Sequence, residues 1–569
     1  MAIAQTREQS EQIKKKLNFW HPPPIAIKES SWRSLDFHGR LRYWLEQLDD
    51  GPPFPLVAAL VYAVKLPLWF AIFNYIFRNR RLPFSAEINV KRWIVYNVLH
   101  DALGCGASSG PLGFKFNPKA PCEAWWHFLT PGTLTLPLLP RFGSVRSRST
   151  VALFIGYILA LLRALRAPTI GFREVGPPLA FLVSLAPFDV TPFFASRGEH
   201  YVYQMICLAF EGSQWRFGCQ MVQSALWLFA GISKMGPWFK HVVSFMVPNC
   251  VFLQNHVPQV RRMLLCNPPR DIRPTMLCMA FAHGGTMNEV VMGLLPLSIG
   301  LFPRTKNLGL LIMTAFHCFI ISQTPFASVF EWNIYSILMG WYLFGAGVQM
   351  PKLSPALATF LFTACFALPV YGQLRPEKVP FLMAYRPYAG NWRFMWVVIT
   401  KSAVPRLKKL RTFDSPLPSD RCMILMGKEP RYEEHLDYVM NASLMVFPNY
   451  RPLPSIVDKL NAKNSRKIDD VHVIPHVPFE NYVLGWSLGI GWGIYRDAFR
   501  SGLQQVCGFE AGDCYFVQFE PMGLAERTVR WRAVDVSSGE IILQGENEFS
   551  ELEGLQDTAS FMMKDGVSA

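Results

Sequence analysis

The chain has 569 residues, 51% of them hydrophobic and only 17% charged, with 44 Phe, 17 Trp and a mean hydropathy of +0.17. Soluble domains carry about 25% charged residues, so the composition excludes an ordinary soluble protein and indicates an integral membrane one. The formal charge of +15 does not mark a nucleic-acid binder, because the basic residues cluster beside apolar segments ("IKKK", "RNRR", "KSAVPRLKKLR") as positive-inside loops do.

Residues 1–52 form a polar lead in which "HPPP" at 21–24 breaks any continuous helix. The lead has no apolar stretch with a cleavage site, so no signal peptide is expected and insertion relies on the first span. Residues 53–400 form the transmembrane helical domain. Nine segments approach the ~20 apolar residues that cross a hydrocarbon core. They are Phe54–Phe77, Thr150–Leu165, Pro177–Phe194, Tyr201–Phe210, Val222–Met235, Thr275–Leu301, Leu308–Ser322, Phe330–Val348 and Leu357–Tyr371. Several are short, and about eight spans are expected. The Gly- and Pro-rich connection 78–149 reads as a cap on one face of the bundle.

Residues 401–569 are polar, of mixed charge and without a spanning segment, which indicates a C-terminal α+β domain. Tyr495, Phe499, Leu503 and Val506 have helical spacing. "TVRWRAVDVSSGEIILQ" reads as a hairpin turning at "SSGE". The basic cluster Lys401–Arg411 follows the last apolar segment and places the C-terminus in the cytoplasm, with the N-terminus on the same side. Asn441 in "NAS" would accept a glycan only in a lumenal domain, which this topology denies. The expected fold is thus a polytopic α-helical integral membrane protein with a C-terminal extramembrane domain.

Ionisable groups at membrane depth cost about 2.5–3.5 kcal/mol on insertion scales and are functional candidates by default. Four places meet that test: Glu199 with His200; Lys234; His283, Asn288 and Glu289 in "AHGGTMNEVVMG"; and His317 with Glu331. Each has a purely structural alternative. Lys234 ends an apolar run and could snorkel to the interface. His200 could be interfacial, and His317 could be a core histidine bonded to a neighbouring helix. Glu289 could pair with His283 or Arg216, Glu331 and Trp332 could be interface anchors, and Asp189 between two prolines suits a turn or cap. The twelve cysteines show no CxxC pair or zinc spacing and read as small buried hydrophobes. No phosphate loop, dinucleotide fingerprint or HExxH occurs. "LGIGWG" (Leu488–Gly493) lacks a third glycine, and Pro475 breaks the helix that would align His472 with His476. No metal site is expected.

The stretches "EHYVYQMICLAF", "VQSALWLFAGISKMGPW" and "AFHCFIISQTPFASVFEWNIYSILM" resemble, in content and order, the vitamin K-dependent gamma-carboxylase superfamily of horizontally transferred transmembrane domains, over about residues 180–350. The best element is Phe-x-Ala-Gly-x-x-Lys-(Leu/Met), here Phe229, Ala230, Gly231, Lys234 and Met235. Over nearly its whole length the chain also resembles an uncharacterised family of transmembrane proteins best known from actinobacteria, through "HPPPIAIKESSWRSLDF", "LTPGTLTLPLLPRFG", "LAPFDVTPFF" and "RPYAGNW".

The carboxylase resemblance implies that Lys234 acts, uncharged, as the base toward a reduced lipoquinone such as vitamin K hydroquinone. There, oxygen converts the quinol to an epoxide, and the strongly basic intermediate allows carbon dioxide to add to a substrate carbanion. It further implies His200 as the partner of Lys234, with His317 lining the pocket; Glu289, Asn288, His283 and Trp238 are candidates for substrate binding. Desolvation disfavours an ammonium, so a buried amine can serve as a neutral base, and a lipid-soluble substrate can enter from the bilayer. His200 and Lys234 are closer in sequence than in that superfamily, and its large substrate-docking region is replaced by a different domain. The expected function is therefore a membrane-embedded enzyme acting on a lipoquinone or another lipid-soluble molecule. The alternative is a non-catalytic scaffold or transport component whose C-terminal domain binds a partner.

Overall fold

Apolar helices and a two-faced sheet share one interior. The computed structural model describes residues 56–106, 122–248, 250–268, 271–323, 329–379, 389–411, 447–466, 470–485 and 494–554. The polar lead 1–52, Asn441 and Leu488–Gly493 lie outside the described residues.

Among the described residues, four helices are long and apolar enough to cross a membrane: Leu60–Phe77, Arg148–Arg166, Pro303–Ser322 and Pro355–Leu374. The expectation of about eight is thus not matched by this measure. The segment Pro177–Phe194 divides into a helix ending at Leu185 and a five-residue helix Thr191–Ala195. Tyr201–Phe210 divides into a π-turn, Gly198–Val202, and the short helix Tyr203–Cys207. Thr275–Leu301 divides into Met276–Gly293 and Leu295–Leu301. The helix Gln214–Ser233 is long enough, but it carries Gln214, Arg216, Gln220 and Gln223. It lies inside the bundle, where neighbouring helices rather than lipid satisfy its polar groups.

Cross-helix bonds fix which helix ends lie together. Arg92 donates to the carbonyls of Phe77 (2.9 Å) and Ala167 (2.7 Å), joining the ends of two candidate spans. At the same end the Lys91 ammonium lies over Trp215. There too the Ser354 amide donates to Gln214, and Lys306 donates to the Gly345 carbonyl. The opposite end carries Lys234, where Gln373 donates to the Phe229 carbonyl.

At that opposite end sits an antiparallel sheet. A small hairpin, β1 (Leu265–Asn267) and β2 (Asp271–Pro274), precedes it. The main sheet comprises β3 (Phe394–Thr400), β4 (Val471–Pro475), β5 (Cys514–Phe519), β6 (Thr528–Asp535) and β7 (Ile541–Glu548), in the order β4-β3-β5-β6-β7. The hairpin read from "TVRWRAVDVSSGEIILQ" is β6–β7, with Thr528 opposite Glu548. The helix read near Tyr495 is Asp497–Cys507, burying Phe499 and Leu503. β3 lies before residue 400 yet is bonded on both edges within this sheet.

The alternation of β3 separates two cores. Met395, Val397 and Ile399 join the apolar cluster that runs on into the helix bundle, including Trp93, Tyr335 and Phe479. Phe394, Trp396 and Val398 face the other way, into a cluster with Tyr450, Phe519, Trp238 and Val242. A strand buried on both faces reads as a continuous apolar run, which is why "FMWVVIT" resembles the end of a membrane segment.

Candidate functional site

The helix Gln214–Ser233 is the axis of the site. Gln220, Gln223, Trp227 and Lys234 recur at spacings of three, four and seven residues, one stripe of a helix. Each meets a different partner.

Lys234 occupies the C-cap of this helix, its amide donating to the Gly231 carbonyl at 2.9 Å. A cation is favourable at a helix C-terminus. The side chain does not snorkel: Lys234 is 9% exposed, and its ammonium donates to both carboxylate oxygens of Glu289, itself 5% exposed. Two glycines permit this. A Cβ on Gly293 would come within 2.5 Å of the Leu228 Cα, and one on Gly231 within 3.0 Å of the Val290 amide nitrogen. The antiparallel helix Met276–Gly293 therefore packs backbone to backbone against the axis, and Glu289 arrives beneath Lys234. The ring of Phe239 lies 5.5 Å from the ammonium. The amine expected to act as a base thus meets a buried carboxylate.

His317, on the helix Lys306–Ser322, accepts from the Trp227 indole N–H at Nε2 (3.1 Å) and faces Asn333 Oδ1 through Nδ1 (2.7 Å). Asn333 Nδ2 donates to the Val329 carbonyl, which fixes the amide. His317 Nδ1 must then carry the proton, and the ring is neutral. His200 has the opposite tautomer. Its Nδ1 accepts from the Trp332 indole (2.7 Å), and its Nε2–H donates to Gln223 Oε1 (2.8 Å). Each ring therefore has one nitrogen accepting from an indole that cannot accept in return. Tyr335 donates to Gln204 Oε1, and Gln204 Nε2 points to Gln223 Oε1 at 3.4 Å. Gln223 Nε2 is buried without a partner among the described residues.

His317 bonds Trp227 and His200 bonds Gln223 of the helix that Lys234 caps, so Lys234, Glu289, His317 and His200 are buried along one helix. Three other candidates do not join them in this way. His283 is exposed, about 120° around its helix from Glu289, and Asn288 is only half-buried. Trp238 donates from its indole to the Ser233 carbonyl (2.9 Å) and packs in the apolar cluster of the sheet. Nor does Arg216 reach Glu289; its guanidinium donates to the Tyr342 carbonyl.

The sequence reading missed a second charged group beside His200. Arg197, in the left-handed region at φ 53°, donates to Asp101 at 2.9 Å, and its guanidinium lies 4.8 Å from the Trp332 ring. Lys65 pairs with Glu331 and donates to the Gly106 carbonyl (3.0 Å). Glu331 and Trp332 are therefore interior groups, not interface anchors. Asp189 does cap a turn, accepting from the Thr191 amide (3.0 Å), but its other oxygen pairs with fully buried Arg146 (2.8 Å). The available signal was the position of these charges inside apolar stretches.

A family profile, "Transmembrane protein of unknown function (DUF3556)", matches residues 18–552. The chain belongs to the DUF3556 family. No curated protein and no solved structure matches it. The DUF3556 match agrees with the whole-length resemblance to an uncharacterised transmembrane family and brings no tie to the carboxylase superfamily.

Proposed function

We propose that the bundle of this DUF3556 protein is a membrane-embedded acid–base enzyme for a lipid-soluble substrate, with Lys234 and Glu289 as its proton-exchanging couple. The observation that carries the reading is the buried Lys234–Glu289 pair, its ammonium held by one carboxylate and one aromatic face. Moving the proton from Lys234 to Glu289 turns an ion pair into two neutral groups, which low dielectric favours relative to bulk water. The amine then has a free electron pair, and Glu289 holds the proton for return. Neutral His200 and His317 add dipoles without adding charge, and Gln223 Nε2, which has no partner among the described residues, is a donor for a substrate oxygen. A reduced lipoquinone, the class implied by the carboxylase resemblance, would supply an acidic hydroxyl to this couple.

The bundle spans the membrane with more helices than the four that qualify alone, the polar axis helix among them. The sheet lies on the cytoplasmic side, as Lys401–Arg411 favours.

The test uses the full chain in nanodiscs with vitamin K hydroquinone as the probe. Tryptophan quenching reports binding, and mass spectrometry reports its consumption under oxygen. The wild type is expected to bind and consume the quinol, and Lys234→Met to bind without consuming it. Equal consumption by both ends the acid–base reading. Neither binding nor consumption by the wild type favours the scaffold or transport alternative.

A further inference from the structure

The Lys234 turn is held from outside the bundle. Lys234 caps its helix, and past the Met235 amide, which donates to the Ile232 carbonyl at 3.1 Å, the helical ladder no longer holds the chain. Instead, Trp238 folds back to donate to the Ser233 carbonyl at 2.9 Å. Gly236 makes room for it, since a Cβ there would lie 2.2 Å from the indole. The Trp238 ring is sealed into the apolar cluster of the C-terminal sheet with Phe394, Trp396 and Phe519.

The next turn is held as well. In the helix Phe239–Met246, Lys240 pairs with Glu553 Oε1 at 2.5 Å and His241 Nε2 meets the same oxygen at 3.0 Å. Glu553 belongs to the closing helix Phe549–Gly554, whose Leu552 and Glu553 carbonyls accept from Arg451 at 2.5 and 3.1 Å. A third hold comes from behind. Gln373 donates to the Phe229 carbonyl of the axis helix (3.1 Å), and its own carbonyl accepts from the Leu524 amide of the β5–β6 connection (3.2 Å).

We propose that the C-terminal domain is a positioning element of the membrane site. Through Trp238, and through Glu553 bound to Lys240 and His241, it holds Lys234 against Glu289. Trp238 and Glu553 are thus positioning residues. This rests on the Lys234–Glu289 couple being the working site, but its test does not depend on turnover.

The full-length protein in nanodiscs is treated with acetic acid N-hydroxysuccinimide ester, a small membrane-permeant amine reagent, and acetylation of Lys234 is followed by peptide mass spectrometry. A paired, buried ammonium reacts slowly. Losing one charge-assisted bond, worth about 1.5–3 kcal/mol, is expected to raise the Lys234 rate about tenfold or more in Glu553→Gln. Glu553→Asp should restore protection. Trp238→Phe, which removes the indole donor and shortens the ring, should also raise the rate. Exposed Glu546 is the control, and Glu546→Gln should leave it unchanged. Unchanged protection in folded Glu553→Gln and Trp238→Phe overturns the proposal, as does equal acceleration by Glu546→Gln. Failure of the wild type to consume quinol would remove the proposed enzyme activity while leaving this result readable.

Discussion

The helix bundle and the C-terminal sheet bury similar aromatic material but treat polar groups differently. β3 places Met395, Val397 and Ile399 on one side and Phe394, Trp396 and Val398 on the other, every one of them apolar. The bundle buries Lys234 with Glu289, Arg197 with Asp101 and Lys65 with Glu331. Hydrophobic packing specifies β3, while the neighbouring strands β5 and β6 bury the polar Gln518 and Asp535. Buried ion pairs are weak sources of stability, since desolvation offsets much of their attraction. Two of these three pairs gather at the start of the helix Phe330–Gly345, where Lys65 meets Glu331 and Arg197 lies over Trp332; the third, Lys234–Glu289, is the couple of the proposed site.

The strongest break of this contrast is Glu289→Ala. It strands an ammonium in the interior and should cost about 3–5 kcal/mol, read as a lower midpoint of thermal unfolding in detergent. Adding Lys234→Met should recover most of that loss, because the charge is then gone. Trp396→Ala should cost a similar ~3–5 kcal/mol through its cavity. No charge removal will rescue it. If Glu289→Ala melts like the wild type, the pair is not formed.

Acid should separate the two regions next. Burial pushes the His241 imidazole down to about 4 from its ordinary 6.5, although Glu553 opposes the shift. Burial alone would raise Glu553, but bonds from His241 and Lys240 outweigh it and hold the carboxyl at about 2. Both folded-state values are depressed. The stability linked to His241 is therefore fully present above about pH 6.5 and fades as pH falls toward 4, and that linked to Glu553 fades below 4.5. The His241 contribution is at most about 3 kcal/mol. Hydrogen exchange in the closing helix Phe549–Gly554 should rise between pH 7 and 5 while β3 stays protected; equal protection at both pH values would refute this.

A smaller effect is expected from Gly293→Val, which meets the Leu228 backbone and should cost about 1–3 kcal/mol. It should also loosen the Lys234–Glu289 pair, seen as faster acetylation of Lys234. Smallest is Trp332→Phe, at about 1 kcal/mol for one hydrogen bond. Its signature is spectroscopic: the His200 ¹⁵N resonances should leave the pure Nε2–H tautomer while those of His317 keep Nδ1–H. A His200 spectrum unchanged by this variant would show that the indole does not set the tautomer.

Much of the site was legible one residue at a time. Lys234, Glu289, His200 and His317 stand out because charge and imidazole are costly among apolar neighbours. Partnership could not be read in the same way. Glu289 suggested His283 or Arg216, yet six helical positions turn His283 about 120° away onto the exposed side, and Arg216 caps the carbonyl end of another helix. Trp238 was a candidate for substrate binding, and its indole donates to the Ser233 carbonyl. Span number resisted the sequence because an apolar run in a protein interior is indistinguishable from one facing lipid.

By itself the sequence determined the membrane class, the β6–β7 hairpin with its "SSGE" turn, and the amphipathic helix Asp497–Cys507, since each follows from composition or short-range periodicity. Tertiary structure alone decided that Lys234 meets Glu289 across 55 residues, Trp227 meets His317 across 90 and Trp332 meets His200 across 132. Such pairings depend on how closely helices approach. Here the missing side chains of Gly231 and Gly293 set that distance for the pair at the centre of the site.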